Sequence, residues 1–424
     1  MRDAPDVIVI GAGLAGLAAA RTLAAHDVPV LVLEAEDAIG GRVRTERVDG
    51  FLVDRGFQVL LDAYPEAQRQ LDLRALDLGR FAPGALVYRD GGFGRVGDPW
   101  RAPGSAWATL TSGAFTSMDA WRMLALRGAS LRALRAGFDV GAGPSTLEAL
   151  RARGFSDRAI DRFFRPFFGG VFLDRDLAGP AGWFLHLFGL FARGAATLPR
   201  EGMGAIPRQL AAGLPAGSVR TGVRVARLED GRVITADGET FAPRATVIAT
   251  DAQPDDALRP DAGGVTWSGC VTLSFDAPTA PVREPLLVLG GDPAAGPIHH
   301  CCVPSVIAPS YAPAGRHLIA ATAVGSPDPD DAALERAARA QLGEWFGPDA
   351  VAAWRLLRVT RVPRSLPRRV LNEAQAARAV RVGPGRYAAG DVAETPSING
   401  ALRSGRRAAE AVLQDLGVAL RPRT

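Results

Sequence analysis

The sequence predicts an α/β protein: a parallel, nucleotide-binding layer of strands and helices, interrupted along the chain by a second, α+β domain. Three observations predict it. Val7–Ile10 is a short, apolar, β-branched run, as a strand buried on both faces should be, and Gly11, Gly13 and Gly16 follow it directly. The alanine-rich stretch after these glycines favours a helix. Near the other end of the chain a strand at Arg386–Ala389 leads to Gly390-Asp391 and a second long helical run. At 424 residues the chain is too long for one simple core, and two domains are expected.

The glycines, spaced G-x-G-x-x-G, have separate tasks. Gly11 permits the tight turn, Gly13 lets a pyrophosphate approach the backbone, and Gly16 lets the helix pack close to its strand. Leu14 and Ala15 lie between them, and Leu17–Ala25 continues the helix. The N-terminus of this helix offers unpaired amides and a positive dipole end to phosphate. Val30–Leu33 reads as the second strand and ends at Glu34-Ala35. An acid about twenty residues past the glycines can accept hydrogen bonds from ribose hydroxyls. Strand, glycines, helix and acid together point to a dinucleotide.

The next stretch distinguishes one dinucleotide from another. Gly40, Gly41, Arg42, Thr45, Gly50, Asp54 and Gly56 come in turn, with Phe57 after them. Two glycines let the backbone pass close to a diphosphate, and an arginine can pair with its charge. This pattern, G-G-R-x-x-T and then D-x-G, resembles the flavoprotein signature of the superfamily of FAD-dependent amine oxidases, phytoene desaturases and protoporphyrinogen oxidases. The resemblance implies a Rossmann-like FAD-binding domain, discontinuous over residues 1–80, 200–255 and 375–424, with an α+β substrate domain over 81–199 and 256–374. It implies FAD, held without a covalent bond, as the cofactor. Two later segments carry it further. V-x-x-L at Val225–Leu228 resembles the strand whose backbone meets the adenine, a role that falls to Val225. Gly390-Asp391, followed by a helix bearing Gly400-Ala401 and Ser404-Gly405, resembles the third flavin motif. There Asp391 would meet the ribityl or diphosphate part. The amides of Ile398 and Asn399 would face the flavin N1 and C2 carbonyl, where a positive helix end stabilises the reduced anion.

Bulk properties exclude some classes. A net charge of +4 gives no strong reason to expect nucleic acid. All 49 basic residues are arginine, and none is lysine. Three cysteines argue against a disulfide framework. His299, His300, Cys301 and Cys302 invite a metal reading. Neighbouring residues on a strand face opposite ways, so core thiols and a structural pair of histidines are expected instead, with no metal. No apolar run reaches the length of a membrane span. The chain begins almost directly with its first strand and shows no charged-then-apolar leader, so a cytoplasmic protein is expected.

Between the motifs, Tyr64–Leu73 reads as a short helix, and Leu86–Tyr88 with Phe93–Val96 as a hairpin. Pro99–Ser105 reads as a loop. From Ser117 a helix interleaves Arg122, Arg127, Arg132 and Arg135 with Trp121, Leu124, Leu131 and Leu134. A basic amphipathic helix can lie on an anionic membrane, although most such helices are surface helices with solvated arginines. Thr146–Arg153 and Asp157–Phe164 are further helices. Phe163–Leu177 and Trp183–Phe191 form the most aromatic part of the chain and read either as core or as a greasy substrate channel. Their stretch R-P-F-x-G-G-V-F resembles a segment of the phytoene desaturases and protoporphyrinogen oxidases. Ile206–Ala212 is a helix, and Val219–Leu228, Arg232–Ala236 and Thr246–Ala249 are strands. Cys270–Phe275, Leu286–Leu289, Ile298–Val303, His317–Val324 and Trp354–Val362 suggest a mixed or antiparallel sheet with helices on one side, among them Asp330–Phe346.

A flavin carries the difficult chemistry, while the protein supplies orientation and electrostatics. The resembling amine oxidases hold a lysine, through a water, near N5. This chain has none, and arginine stays protonated and cannot act as base. Those enzymes also cage the amine with aromatic residues, one of them just before the G-A pair of the last motif. Ser397, Ile398 and Asn399 stand there instead. Typical amine oxidation is therefore disfavoured. With no cysteine near the last motif, covalent attachment of FAD there is disfavoured too. The expectation is hydride removal from a bulky apolar small molecule, as in phytoene desaturases, which rests partly on fold-level analogy. No side chain stands out as a catalytic base. Three alternatives stay open: an amine oxidase-like enzyme lacking the usual lysine, a non-catalytic flavin-binding protein in peripheral contact with a membrane, and a nicotinamide-linked dehydrogenase.

Overall fold

Val7–Ile10 is an inner strand of a six-stranded sheet in the computed structural model. The structure describes residues 5–136, 143–251, 258, 265–292, 295–326, 330–368 and 379–421. The domain boundaries expected at 255/256 and 374/375 lie outside them. In the sheet the strands run in the order 219–220, 30–33, 7–10, 245–248, 386–388 and 381–383. Every pair is parallel except the last, which is antiparallel. The first strand lies inside, and the chain extends the sheet to either side of it, as in doubly wound nucleotide-binding sheets. Val7, Ile8 and Val9 are fully buried, which is what a strand covered on both faces requires.

Helix Leu14–Ala24 leaves that strand, and the last helix, Ile398–Asp415, packs against it. The contact is backbone to backbone. A Cβ built on Gly405 would stand 2.0 Å from the Ala15 carbonyl oxygen, so only glycine allows the approach.

The second sheet has seven strands, in the order 355–367, 267–277, 317–324, 298–302, 287–290, 84–89 and 92–97. It is antiparallel apart from the pair 84–89 and 287–290. Because strand side chains alternate, its two faces carry different residues. Val271, Leu273, Phe275, Val288 and Ile319 pack under helix Asp331–Phe346. The other face bears Ala85, Val87 and Leu289 beneath the aromatic helices, and His300, Thr322 and Thr272 across from them. Helices therefore cover both faces, not the single side expected.

Other differences have local causes. The stretch 219–228 is two strands, 219–220 in the parallel sheet and 225–229 in a separate three-stranded sheet, because the chain turns at Gly222 with positive φ. Asp49-Gly50, both with positive φ, closes a hairpin between Thr45–Val48 and Phe51–Asp54, as a D-G pair favours. Ser105–Thr111 is a helix that follows directly on the expected loop. Among the described residues, no helix is long and apolar enough to cross a membrane. The glycine at the helix crossing yields a first test. Gly405→Ala should lower unfolding free energy by about 2–3 kcal/mol in urea titration, the range for overpacking a filled core, and an unchanged midpoint would show that the helices can separate.

Candidate functional site

The glycine turn after Val7–Ile10 and the Gly40-Gly41 turn face each other. Gly40 N–H donates to the Ala12 carbonyl at 2.9 Å, and Gly13 and Gly40 form a parallel bridge. A Cβ built on Gly13 would meet nothing within 4 Å, and one on Gly41 would stand 3.5 Å from the Gly13 Cα. The two turns thus make a cradle walled by backbone, with the amides of helix Leu14–Ala24 at one end. Leu14 and Ala15 form the first turn of that helix and are buried. Gly16 cannot carry a side chain, since its Cβ would stand 1.9 Å from the Gly11 carbonyl oxygen.

Glu34 ends the second strand and is buried beside this turn. Its carboxylate accepts from Ala12 N–H at 2.6 Å and from Glu36 N–H at 2.9 Å. A carboxylate offers about four acceptor positions, so capacity remains for hydroxyls. Half-buried Ala35 follows it. Val223 N–H donates to the Glu34 carbonyl at 2.8 Å, and Ala236 N–H donates to the Arg224 carbonyl at 2.8 Å. In an antiparallel ladder this alternation turns the Val225 amide and carbonyl to the same side as Val223, the side of Glu34.

Arg42 is the centre of charge. It donates to Asp391 through both terminal nitrogens, at 2.9 and 2.6 Å, and to the Ser365 carbonyl at 2.9 Å. It also pairs with Asp251 at 3.2 Å and lies over the Trp267 ring at 5.3 Å. Burial works against the guanidinium charge, but the Asp391 carboxylate outweighs it and the Arg42 pKa stands above its ordinary value. Burial pushes the Asp251 carboxyl up, with Arg42 opposing. Sequence reasoning missed Asp251. The available signal was an acid just past the carboxyl end of a parallel strand, where ligands of such sheets bind.

Gly56 and Phe57 meet the second sheet. Phe57 N–H donates to Thr272 Oγ1 at 3.3 Å, and a Cβ on Gly56 would lie 3.8 Å from Cys270 Sγ. Cys270 itself contacts Ser365 Oγ at 3.1 Å, so a thiol distant in sequence lies beside the first motif. Gln58 Nε2 donates to the Arg42 carbonyl at 2.6 Å, while its buried Oε1 has no partner among the described residues. Asp54 anchors this loop. It accepts from Thr45 Oγ1 at 2.5 Å, Tyr311 OH at 2.8 Å and Met203 N–H at 3.0 Å, and burial raises its pKa to about 6 against those bonds.

At the far end, Gly390 N–H donates to Ser404 Oγ at 3.0 Å, and Ser397 Oγ caps the last helix by accepting from Gly400 N–H at 3.0 Å. Ile398 and Asn399, its first two residues, have amides without an intrahelical acceptor. The Asn399 side chain turns the other way and accepts from Glu66 N–H at 2.9 Å.

The histidines depart from expectation. The ladder slips between Ile298 and His300, a bulge that undoes strand alternation at that point. Both rings consequently approach helix Arg165–Phe172. A Cβ on Gly170 would lie 3.1 Å from His299 Cδ2 and 3.1 Å from His300 Nδ1. The His300 ring packs on Phe57 with centroids 5.0 Å apart. Burial, then the neighbouring His299, lowers the His300 pKa to about 3, and burial, then Arg175, lowers that of His299 to about 4. Both rings of His300 and His299 are therefore neutral at pH 7. Neither nitrogen of His300 has a partner among the described residues. Cys301 and Cys302 are buried thiols with raised pKa values. Among the described residues, no three His, Cys, Asp or Glu side chains gather closely enough to hold a metal ion.

Comparison with known proteins adds a family. The profile of the family described as flavin containing amine oxidoreductase matches residues 14–413. Short stretches match curated proteins: 62% identity over 47 residues with flavin-containing amine oxidase A of Canis lupus familiaris, 10% of this chain and 9% of that one. Putrescine oxidase of Kocuria rosea is 43% identical over 84 residues, 20% of this chain and 18% of its own. The matches thus span less than a fifth of these relatives. An oxidoreductase from Methanosarcina mazei has the same fold, with a TM-score of 0.71 and 18% identity over 95% of this chain and 99% of that one.

Two expectations arise from the site's electrostatics. Arg42→Met takes the guanidinium away from two carboxylates, one of them only 4% exposed, and should cost about 3–5 kcal/mol of stability in denaturant titration. The depressed histidines make the folded protein bind fewer protons than the unfolded chain below the ordinary pKa of 6.5. Stability should therefore fall as pH drops from 6.5 toward 4, and His300→Leu should flatten that slope by about one proton. Parallel curves for the two proteins would refute the buried, neutral His300.

Proposed function

The chain belongs to the family of flavin containing amine oxidoreductases, with FAD as cofactor, and on that premise we propose that it is an oxidoreductase withdrawing hydride from a bulky apolar substrate, in the manner of phytoene desaturases. The residues of the site suit FAD. The cradle of Gly11, Gly13, Gly16, Gly40 and Gly41 admits a diphosphate, and the first-turn amides at Leu14 and Ala15 face its charge. Glu34, with Ala35 beside it, has acceptors left for ribose hydroxyls. The Val225 main chain is turned toward the same side for the adenine. Arg42, Asp391 and Gly390 would hold the diphosphate and ribityl chain. Gly56, Phe57 and the amides of Ile398 and Asn399 would border the ring. When bound, FAD supplies the two-electron sink for a hydride. The protein's part is to orient the substrate and exclude water.

One observation carries the substrate class. Helix Arg165–Phe172 packs on His300, and His300 packs on Phe57, so one ring joins the aromatic helices to the Gly56-Phe57 loop. Phe168 meets Phe184 at 4.8 Å, Phe167 meets Phe191 at 5.3 Å, and Phe172 meets Trp183 at 6.4 Å. Phe172 and Trp183 also border a small cavity of about 40 Å³, room for water only, whose lining adds the charged Asp174 and Arg368 to Ser268, Leu366 and Pro396, so the substrate class rests on the aromatic packing and not on this cavity. A wall of this kind rewards apolar surface. A substrate of this class partitions into lipid, and the reading includes peripheral contact with a membrane. Amine oxidation is the second reading, favoured by the amine and putrescine oxidase relatives. Against it stand the absence of lysine and the neutral, weakly basic His300.

The absorbance spectrum of the purified protein tests the cofactor. Twin flavin bands that pass into the supernatant on heating are expected, and a colourless protein that cannot be reconstituted with FAD would overturn the assignment. Anaerobic titration then tests the substrate. Isoprenoid hydrocarbons should bleach the bands, whereas bleaching by putrescine alone would hand the site to amines.

A further inference from the structure

Seven large apolar side chains are exposed among the described residues, and five of them lie between Trp100 and Leu124. Trp107 is 76% exposed and Trp121 71%, alongside Trp100, Met118 and Leu124. Three belong to helix Ser117–Ala136, whose inner face buries Asp119, Leu126 and Ser130 against the protein. Its outer stripe, at helical spacing, runs Met118, Trp121, Leu124, Ala125, Gly128, Arg132 and Arg135. The first half of that stripe is apolar and the second half basic. It carries no acid: the only acid of the helix, Asp119, is fully buried and accepts from Thr116 and Ser156. Trp100 stacks on the flank of the helix, its ring 4.9 Å from the guanidinium of Arg127, which donates to Asp98 and to the Ala192 carbonyl.

We propose that this face is a docking surface for an anionic lipid bilayer, with Trp121, Leu124 and Met118 entering the headgroup region and Arg132 and Arg135 meeting lipid phosphates. Tryptophan has an apolar body and a polar N–H, which suits the membrane–water interface. What counts is the exposed side alone, where interfacial tryptophan and leucine anchors have arginines beside them; taken around its whole circumference the helix is not amphipathic, because its inner face buries apolar residues too. A second copy of the chain fits less well. A two-fold interface would bring the same stripe against itself, and with no acid on it the arginines would find no counter-charge. Water-soluble acidic partners would satisfy the arginines and leave the tryptophans unexplained. The helix lies on Ala181–Arg193, where the Gly189 backbone approaches Ser130, so the docked face backs directly onto the aromatic helices. That purpose rests on the apolar-substrate reading, but the surface does not.

The test is flotation of the full-length protein with phosphatidylglycerol-rich vesicles, without substrate. The protein should float with them, and stay behind with phosphatidylcholine vesicles or at high salt. Arg132→Glu combined with Arg135→Glu should weaken binding about twenty-five-fold or more, taking about fivefold per arginine near an anionic surface. Trp121→Ser with Leu124→Ser should abolish flotation while leaving the far-UV spectrum and melting temperature unchanged, since both residues are exposed. Three results would overturn the proposal: no flotation, flotation of the variants equal to the parent, or a dimer in sedimentation equilibrium that the tryptophan variant dissolves. Because no turnover is read, an apolar-substrate reading that failed would leave this result standing, and the reverse holds.

Discussion

One guanidinium joins the parts of this protein. Arg42 lies in the loop after the second strand, and Asp391 lies 349 residues away, before the last helix. Their two-point contact closes the nucleotide-binding layer across everything inserted between. The same side chain reaches the Ser365 carbonyl and the Trp267 ring, both on strands of the second sheet. With the Asp251 pair, four of the five donors of the arginine are engaged with protein groups at once. A buried ion pair adds little net stability against an apolar equivalent, yet it is costly to break from one side. Its value here is positional. It fixes where the glycine cradle ends, where the capped helix begins and how the second sheet meets both.

The second sheet presents its polar row to that joint. Thr272, Thr322 and His300 face the Gly56-Phe57 loop, while the opposite side of the same strands is filled by aliphatic and aromatic side chains under a helix. The bulge at Ile298–His300 is what turns two adjacent histidines onto one neighbour. A bulge re-aims a side chain at the expense of a ladder bond, and here it puts a neutral, hydrogen-bond-capable ring between the aromatic helices and the Gly56-Phe57 loop.

How much of this could be read beforehand follows from the range of the forces. The glycine turn, Glu34, the G-G-R run and the capped last helix were legible because each depends on a few adjacent residues whose chemistry permits little else. The aromatic segments were visible as composition, and their packing onto His300 was not, because it depends on a strand more than a hundred residues away in the chain. Asp251 has no local signature beyond its place after a buried strand, and its partner is supplied by the fold. The split of 219–228 turned on Gly222, one glycine within an apparently continuous strand pattern. The alternation argument for the histidines failed for a similar reason, since a bulge leaves the local residue pattern unchanged and shifts only the pairing. The exposed tryptophans also needed the fold, because a helix pattern does not tell which stripe faces out when both carry apolar residues.

The crossing of the first and last helices at Gly405 has a consequence for how the chain is made. Strand Val7–Ile10 and helix Leu14–Ala24 leave the ribosome long before Ile398–Asp415, the surface that covers the helix. Until then the buried alanines and leucines of that helix lack this one cover, although strands 30–33, 219–220 and 245–248 have already been made. The second sheet, whose strands fall between Gly84 and Pro367, is complete before the last helix exists. The last helix is therefore the piece that closes the first layer. A chain stopped short of Ile398 would hold a finished second sheet beside an open, adhesive first one, the kind of species chaperones and proteases are built to find.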